Sequence, residues 1–190
     1  MIVAKAECCS ECNVDKSIST NFATMLQKNK YSDIIFMVQG EEFKLHRNIL
    51  SARSPVFEVM FESNFEESKQ NRVTITDIEV DVFEELIKFI YTGKIDQLDN
   101  LVHELFVVAD KYQIESLKNI CHDHLINNLT IQSAIQTLML ADLYRDTSLR
   151  SKALNFVVRS NKEIKTKVPI NWSQLETQPH LLIEILNILE

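Results

Sequence analysis

Glycine is almost missing from this chain. Only Gly40 and Gly93 occur in 190 residues, and they lie far apart. A phosphate-cradling loop needs clustered glycines so that backbone amides can close on the anion. Their absence argues against ATP, GTP and dinucleotide enzymes. Cysteine is scarce and badly placed for bridging: Cys8, Cys9 and Cys12 crowd the N-terminus and Cys121 stands alone mid-chain. That is a poor disulfide framework, and a reducing compartment fits it best. No apolar run approaches a membrane span, and Lys5 and Glu7 break any apolar leader segment. Nor is there a clustered Lys/Arg stripe. With a net charge of −7, phosphate neutralisation is unfavourable, so neither nucleic acid nor membrane is an expected partner.

What is present is the composition of a globular protein, 45 % apolar and 25 % charged. The length allows one domain or a domain with a smaller appendage, and the apolar content suffices for a core without metals. Residues 1–16 show no apolar periodicity and read as a flexible leader. From Ser17, the positions Ile18, Phe22, Met25 and Leu26 mark one face of a short helix. Ile34 to Val38, a turn at Gln39-Gly40-Glu41 and Phe43-x-Leu45 predict a hairpin. Ile49, Leu50 and Ala52 predict a helix that stops before Ser54-Pro55, where Ser54 caps and Pro55 opens the next helix. Arg72 to Ile75 reads as a short strand. Beyond residue 78 helical stripes follow one another, with Gly93 closing the first, Thr130 capping a later one and the polar KEIKTK run interrupting the series. About three strands and nine helices imply an α+β domain followed by helical pairs.

Four constellations could carry chemistry. His46 with Ser51 or Ser54 resembles a base beside a nucleophile, but no glycine stands near to shape an oxyanion hole. The plainer reading is a packed histidine and a helix cap. Asp33 and Arg47 flank apolar runs and are either a charge pair drawn inward or two solvated strand ends; the sequence leaves both open. Cys9-x-x-Cys12, with Cys121, His122 or His124, could hold zinc. No second pair follows at finger spacing, so unliganded thiols are expected, with no metal and no cofactor. Asn64 to Lys69 is polar with one aromatic, Phe65, which is either a lone exposed ring or an anchor for a partner helix with Glu67 beside it.

The stretches YSDIIFMVQGEEFKLHRNILSARSPVFEVMF, FEESKQNRVTI and FIYTGKI resemble the BTB/POZ domain. The wording is most similar to speckle-type POZ proteins, and it runs on through FVVADKYQIESLKNICHDHLINNLTIQSAIQTLMLADLY to QPHLLIEIL. The resemblance covers about residues 17–190. It implies a BTB/POZ fold, a small sheet flanked by helices, over 17–126 with an N-terminal dimerisation helix. Residues 127–190 then match a three-box and a shortened BACK-like helical region. It implies a homodimer, or a heterodimer with related BTB proteins, through Ile18, Phe22, Met25 and Ile49, with Asp33 and Arg47 in a charged pocket near the seam. It also implies a groove for the cullin-3 N-terminal domain involving Phe65, Glu67, Met60 and Tyr112.

The expected function is a non-catalytic adaptor or scaffold of a cullin-3 RING ubiquitin ligase, acting in ubiquitination and degradation. The alternative is a self-association module of a transcription-regulatory complex that binds no cullin. The resemblance favours the nucleus, with the cytoplasm as a second compartment. Two departures stand out. The residues before Ser17 do not suffice for the substrate-collecting MATH domain of speckle-type proteins, so either the chain is a fragment or substrates reach it by another route. Leu186 occupies a position where the speckle-type pattern has a tyrosine, which weakens the expectation of a second self-association surface.

Overall fold

The computed structural model describes residues 11–62 and 71–189, with side chains from residue 17 onward. The chain divides into two compact units, Met1–Leu117 and Lys118–Glu190. The sequence-based boundary at 126/127 falls at the end of a helix that the structural division crosses near its start. Periodicity marks where a helix ends, not which core its side chains join.

In the first unit, α1 (Glu11–Lys28) begins six residues before the expected start at Ser17. The expected leader therefore contributes its last six residues to a helix; the segment ECNVDK has no apolar stripe in its sequence, so periodicity gave no sign of it. Then β1 (Ile34–Val38) and β2 (Glu41–Leu45) pair antiparallel with Val38 opposite Glu41. The two residues between them, Gln39 and Gly40, have φ of +49° and +94°. Both are left-handed, as the tight turn matching strand twist requires, and Gly40 adopts this without steric cost. On the other side of β1 lies β3 (Arg72–Ile75), parallel to it, giving the order β2-β1-β3. Alternation places Ile34, Phe36, Val38, Leu45, Val73 and Ile75 in the core. The Phe36 ring meets Phe57 and Phe83, each at 5.6 Å between centroids.

Helices α2 (Arg47–Arg53) and α3 (Pro55–Glu62) meet at Ser54. As expected, Ser54 Oγ accepts the Phe57 N–H at 3.2 Å; it also donates to the Tyr112 carbonyl at 2.6 Å. The stripe of α4 (Val80–Thr92) is buried, and Gly93 closes that helix with φ +70° and its N–H on the Phe89 carbonyl. The entry to α5 (Leu98–Lys111) is held by Glu85 of α4, which is 4 % exposed. Its carboxylate accepts the Asp96 N–H at 2.8 Å and faces the Lys88 ammonium at 3.4 Å. Helix α6 (Glu115–Asn127) follows.

In the second unit, Thr130 and Ser133 cap each other's amides through their hydroxyls, and α7 (Ala134–Leu143) starts four residues after the expected cap. The KEIKTK run does not interrupt the chain: α8 (Thr147–Lys167) continues through it because Ile164 is fully buried and anchors the last turns. Asp146 caps α8 at the Leu149 N–H. Short α9 (Pro169–Gln174), a 3₁₀ turn (Leu175–Thr177) and α10 (Pro179–Leu189) close over a core that includes Ile135, Leu138, Val157 and Leu181. Arg150 joins α7 and α10 to α8, donating to Asp142 at 2.7 Å and to Glu184 at 2.6 Å.

Replacing Glu85 by Ala removes the acceptor of the Asp96 N–H at the entry to α5. It should cost about 2 kcal/mol in urea denaturation, more than Lys88→Ala, which removes a partly exposed ammonium from its ion pairs with Glu85 and Asp96.

Candidate functional site

Helix α1 packs against α4 but does not bury its own apolar face. Ile18 is 48 % exposed and Phe22 37 % exposed. Ser19 sits between them on the helix and donates to the Thr92 carbonyl at 3.0 Å, tying α1 to the end of α4. This clip leaves a groove of about 540 Å³ floored by the end of α4 and walled by α1 and α2. Ile18, Phe22 and Ile49 line it, with Asn48, Ala52 and Arg53 completing the α2 wall. The structure thus brings three of the four expected apolar dimer residues onto one surface. Met25, half-buried, continues the same helix without lining the groove. Sequence reasoning did not single out Ala52 and Arg53. Their signal was present, since they lie three and four residues after Ile49 and so share its face of α2.

Asp33 and Arg47 also meet, in a different manner from an inward charge pair. Asp33 is exposed, and its carboxylate accepts the backbone N–H of Arg47 at 2.8 Å, serving the first turn of α2. The Arg47 guanidinium donates to Asn71 Oδ1 at 2.8 Å and lies 5.2 Å from the Phe61 ring centroid. Neither residue lines the groove. Of the expected cullin-contacting set, Phe65 and Glu67 lie outside the described residues. Met60 is half-buried on α3, beside Val59, which is 60 % exposed. Tyr112 is a correction: at 2 % exposure it stacks on Phe57 at 4.5 Å between centroids and belongs to the core. The bond from Ser54 to its carbonyl holds its backbone, and the ring fills the space beside Phe57.

Ser54, occupied by Tyr112 and Phe57, offers no nucleophile to His46, whose own nitrogens are also committed. His46 is 2 % exposed. Its Nε2 lies 2.7 Å from the Lys30 carbonyl and its Nδ1 2.8 Å from the Tyr91 hydroxyl. A carbonyl only accepts, so Nε2 carries the proton and Nδ1 accepts from Tyr91. The same hydroxyl accepts the His46 backbone N–H at 3.0 Å. Of the C-x-x-C motif, Cys8 and Cys9 lie outside the described residues, as does the side chain of Cys12. Cys121 is fully buried, and that burial pushes its thiol up to about 12, which suppresses thiolate chemistry. His122 Nε2 lies 2.7 Å from the Ser148 hydroxyl. Among the described residues no group of three or more His, Cys, Asp or Glu is placed to hold a metal.

Burial, aided by the charge of Asp33, pushes the Tyr91 phenol up to about 12, against the opposing hydrogen bond from His46. An unfolded tyrosine ionises near 10, so between pH 10 and about 12 the folded state retains a proton that the unfolded state sheds. Stability therefore falls across that window. In urea denaturation at a series of pH values, Tyr91→Phe should cost about 1–3 kcal/mol at neutral pH, because His46 loses its partners there, and should flatten the alkaline fall.

Residues 22–129 match the family model for the BTB/POZ domain, more than half of the chain. Among solved structures, the BTB domain of zebrafish PATZ1 is similar with a TM-score of 0.53 at 22 % identity, covering 67 % of this chain and 100 % of that one. At that identity the likeness speaks for the fold. BTB/POZ domains are protein-interaction modules that commonly self-associate and commonly serve as cullin-3 adaptor elements. The matched span takes in the end of α1, the hairpin, the third strand, α2 and α4, and with them this chain belongs to the BTB/POZ domain family.

Proposed function

We propose that the protein is a dimeric adaptor or scaffold subunit of a cullin-3 RING ubiquitin ligase, with no bond-making chemistry of its own. The observation that carries the reading is the pair Ile18 and Phe22, held in solvent by the Ser19 clip above an apolar groove. A two-fold partner presenting the same patch satisfies both surfaces at once. Burying what remains exposed of Ile18 and Phe22 on each side contributes about 1 kcal/mol per side chain, roughly half of the full-burial value. The cullin half of the proposal rests on the resemblance of Phe65-Glu66-Glu67 to the family's hydrophobic–x–Glu element. Substrates would be gathered through a region not contained here. We place the protein in the nucleus, the cytoplasm or both, with the nucleus favoured by the resemblance to speckle-type POZ proteins.

Phe22→Asp should weaken dimerisation in sedimentation equilibrium by at least ~thirtyfold, about 2 kcal/mol, with unchanged far-UV circular dichroism. Parental dimerisation by this variant would remove the groove from the interface. In a pull-down with the cullin-3 N-terminal domain, Phe65→Ala combined with Glu67→Ala should lose binding by a similar factor while dimerising normally. A parental dimer that captures no cullin would instead select the self-association module of a transcription-regulatory complex.

A further inference from the structure

Among the described residues, the outer edge of β2 is unpaired. In the order β2-β1-β3, β2 has one neighbour. The Val38–Glu41 pair closes the two-residue turn and exchanges hydrogen bonds across it. Alternation along an antiparallel ladder then makes Phe36–Phe43 and Ile34–Leu45 bonded pairs as well. The N–H and C=O groups of Glu42 and Lys44 are left pointing away from β1. Among the described residues, no hydrogen bond joins these outward groups to another element.

Beside this edge runs a groove of about 760 Å³, distinct from the one between α1 and α2. Four consecutive residues of β2, Glu42 to Leu45, line it. Side chains alternate between the two faces of a sheet, so four in a row can line a groove only where the strand presents its edge. The opposite wall is α1, and Ala23, Leu26, Phe43 and Ile87 supply its apolar lining. Six charged side chains also face it. Glu42 is taken by Arg72 at 2.6 Å, and Lys88 pairs with Asp96. Lys44, Lys94 and Glu84 form no ion pair among the described residues, so the uncommitted charges are two ammoniums and one carboxylate, while Lys88 is shared by Asp96 and Glu85 and the six lining charges sum to zero.

We propose that this edge and groove bind an extended segment of a partner protein as a fourth strand, with apolar side chains turned inward and acidic ones toward Lys44 and Lys94. Unmet amide and carbonyl groups in a row specify a strand rather than a helix, because only a strand returns matching donors and acceptors along its length. Four such groups on Glu42 and Lys44 supply the pairing, and the lysines choose the charge of the ligand. The site does not depend on self-association through α1 and α2.

The test uses a blocked, fluorescein-labelled seven-residue peptide alternating valine and glutamate, with a valine–lysine peptide as control. Anisotropy should show binding of the first at least ~fivefold tighter than the second. Backbone NMR should show the Glu42 and Lys44 amides shifting and gaining exchange protection. Lys44→Ala keeps the outward N–H and removes the charge, so it should weaken binding a few-fold. Lys44→Pro also removes an N–H that the hairpin itself does not use, and should weaken binding at least ~tenfold beyond Lys44→Ala. Circular dichroism establishes whether the proline variant folds; if it does not, amide protection in the parent protein decides. Equal binding by both variants, peptide effects confined to the α1–α2 groove, no binding at millimolar peptide, or protection of these amides by a second copy alone would each overturn the proposal.

Discussion

The buried ring of His46 ties together three parts of the first unit that sequence keeps apart. One nitrogen holds the carbonyl of Lys30, at the approach to β1, and the other holds Tyr91, one residue short of the end of α4. The backbone of His46 bonds the same phenol, so the corner between β2 and α2 is pinned to the end of α4. The neighbouring residue on α4, Thr92, accepts the hydroxyl of Ser19. Through these bonds the core determines where α1 lies and how α2 is set beside it. Tyr91 and Thr92 both line the groove that results. A polar network of this kind is stable inside a protein because each member has a hydrogen-bond partner.

The two surfaces on the first unit follow from opposite deficits. At the α1–α2 groove, apolar side chains remain in water while backbone groups are satisfied. Such a surface favours a partner that removes area from solvent, and a second copy does so symmetrically. At the edge of β2, the side chains are charged or half-buried, and backbone groups are what lack partners. That deficit favours a ligand matched by hydrogen-bond direction. The first unit therefore presents, on either side of α1, one surface short of apolar cover and one short of backbone partners.

Much of this was legible in the residues. The Ser54-Pro55 junction, the Gly93 helix end and the buried stripes of α4 and α5 each rest on local chemistry that a sequence displays: a cap, a fixed φ, a left-handed residue, a period of 3.6. The apolar set Ile18, Phe22 and Ile49 was also visible as helical spacing. Other features escaped because their cause is not local. Glu11 to Lys16 is helical without an apolar stripe. The KEIKTK run stays in α8 because one residue, Ile164, finds a core contributed by other helices. Tyr112 has the composition of a surface anchor, and only packing against Phe57 shows it to be interior.

The residues alone determined the α+β class, the order of most elements, the exclusion of glycine-loop nucleotide chemistry and the apolar positions of the α1–α2 groove. Each of these depends on intrinsic backbone preference or on periodicity, which neighbours along the chain already express. Tertiary structure alone decided that Asp33 serves a backbone amide of α2, that His46 is a buried strut and that the amide groups of Glu42 and Lys44 face an open groove. Those outcomes depend on which groups the fold brings within about 3 Å of one another, and hydrogen-bond partners distant in sequence leave no periodic trace in it.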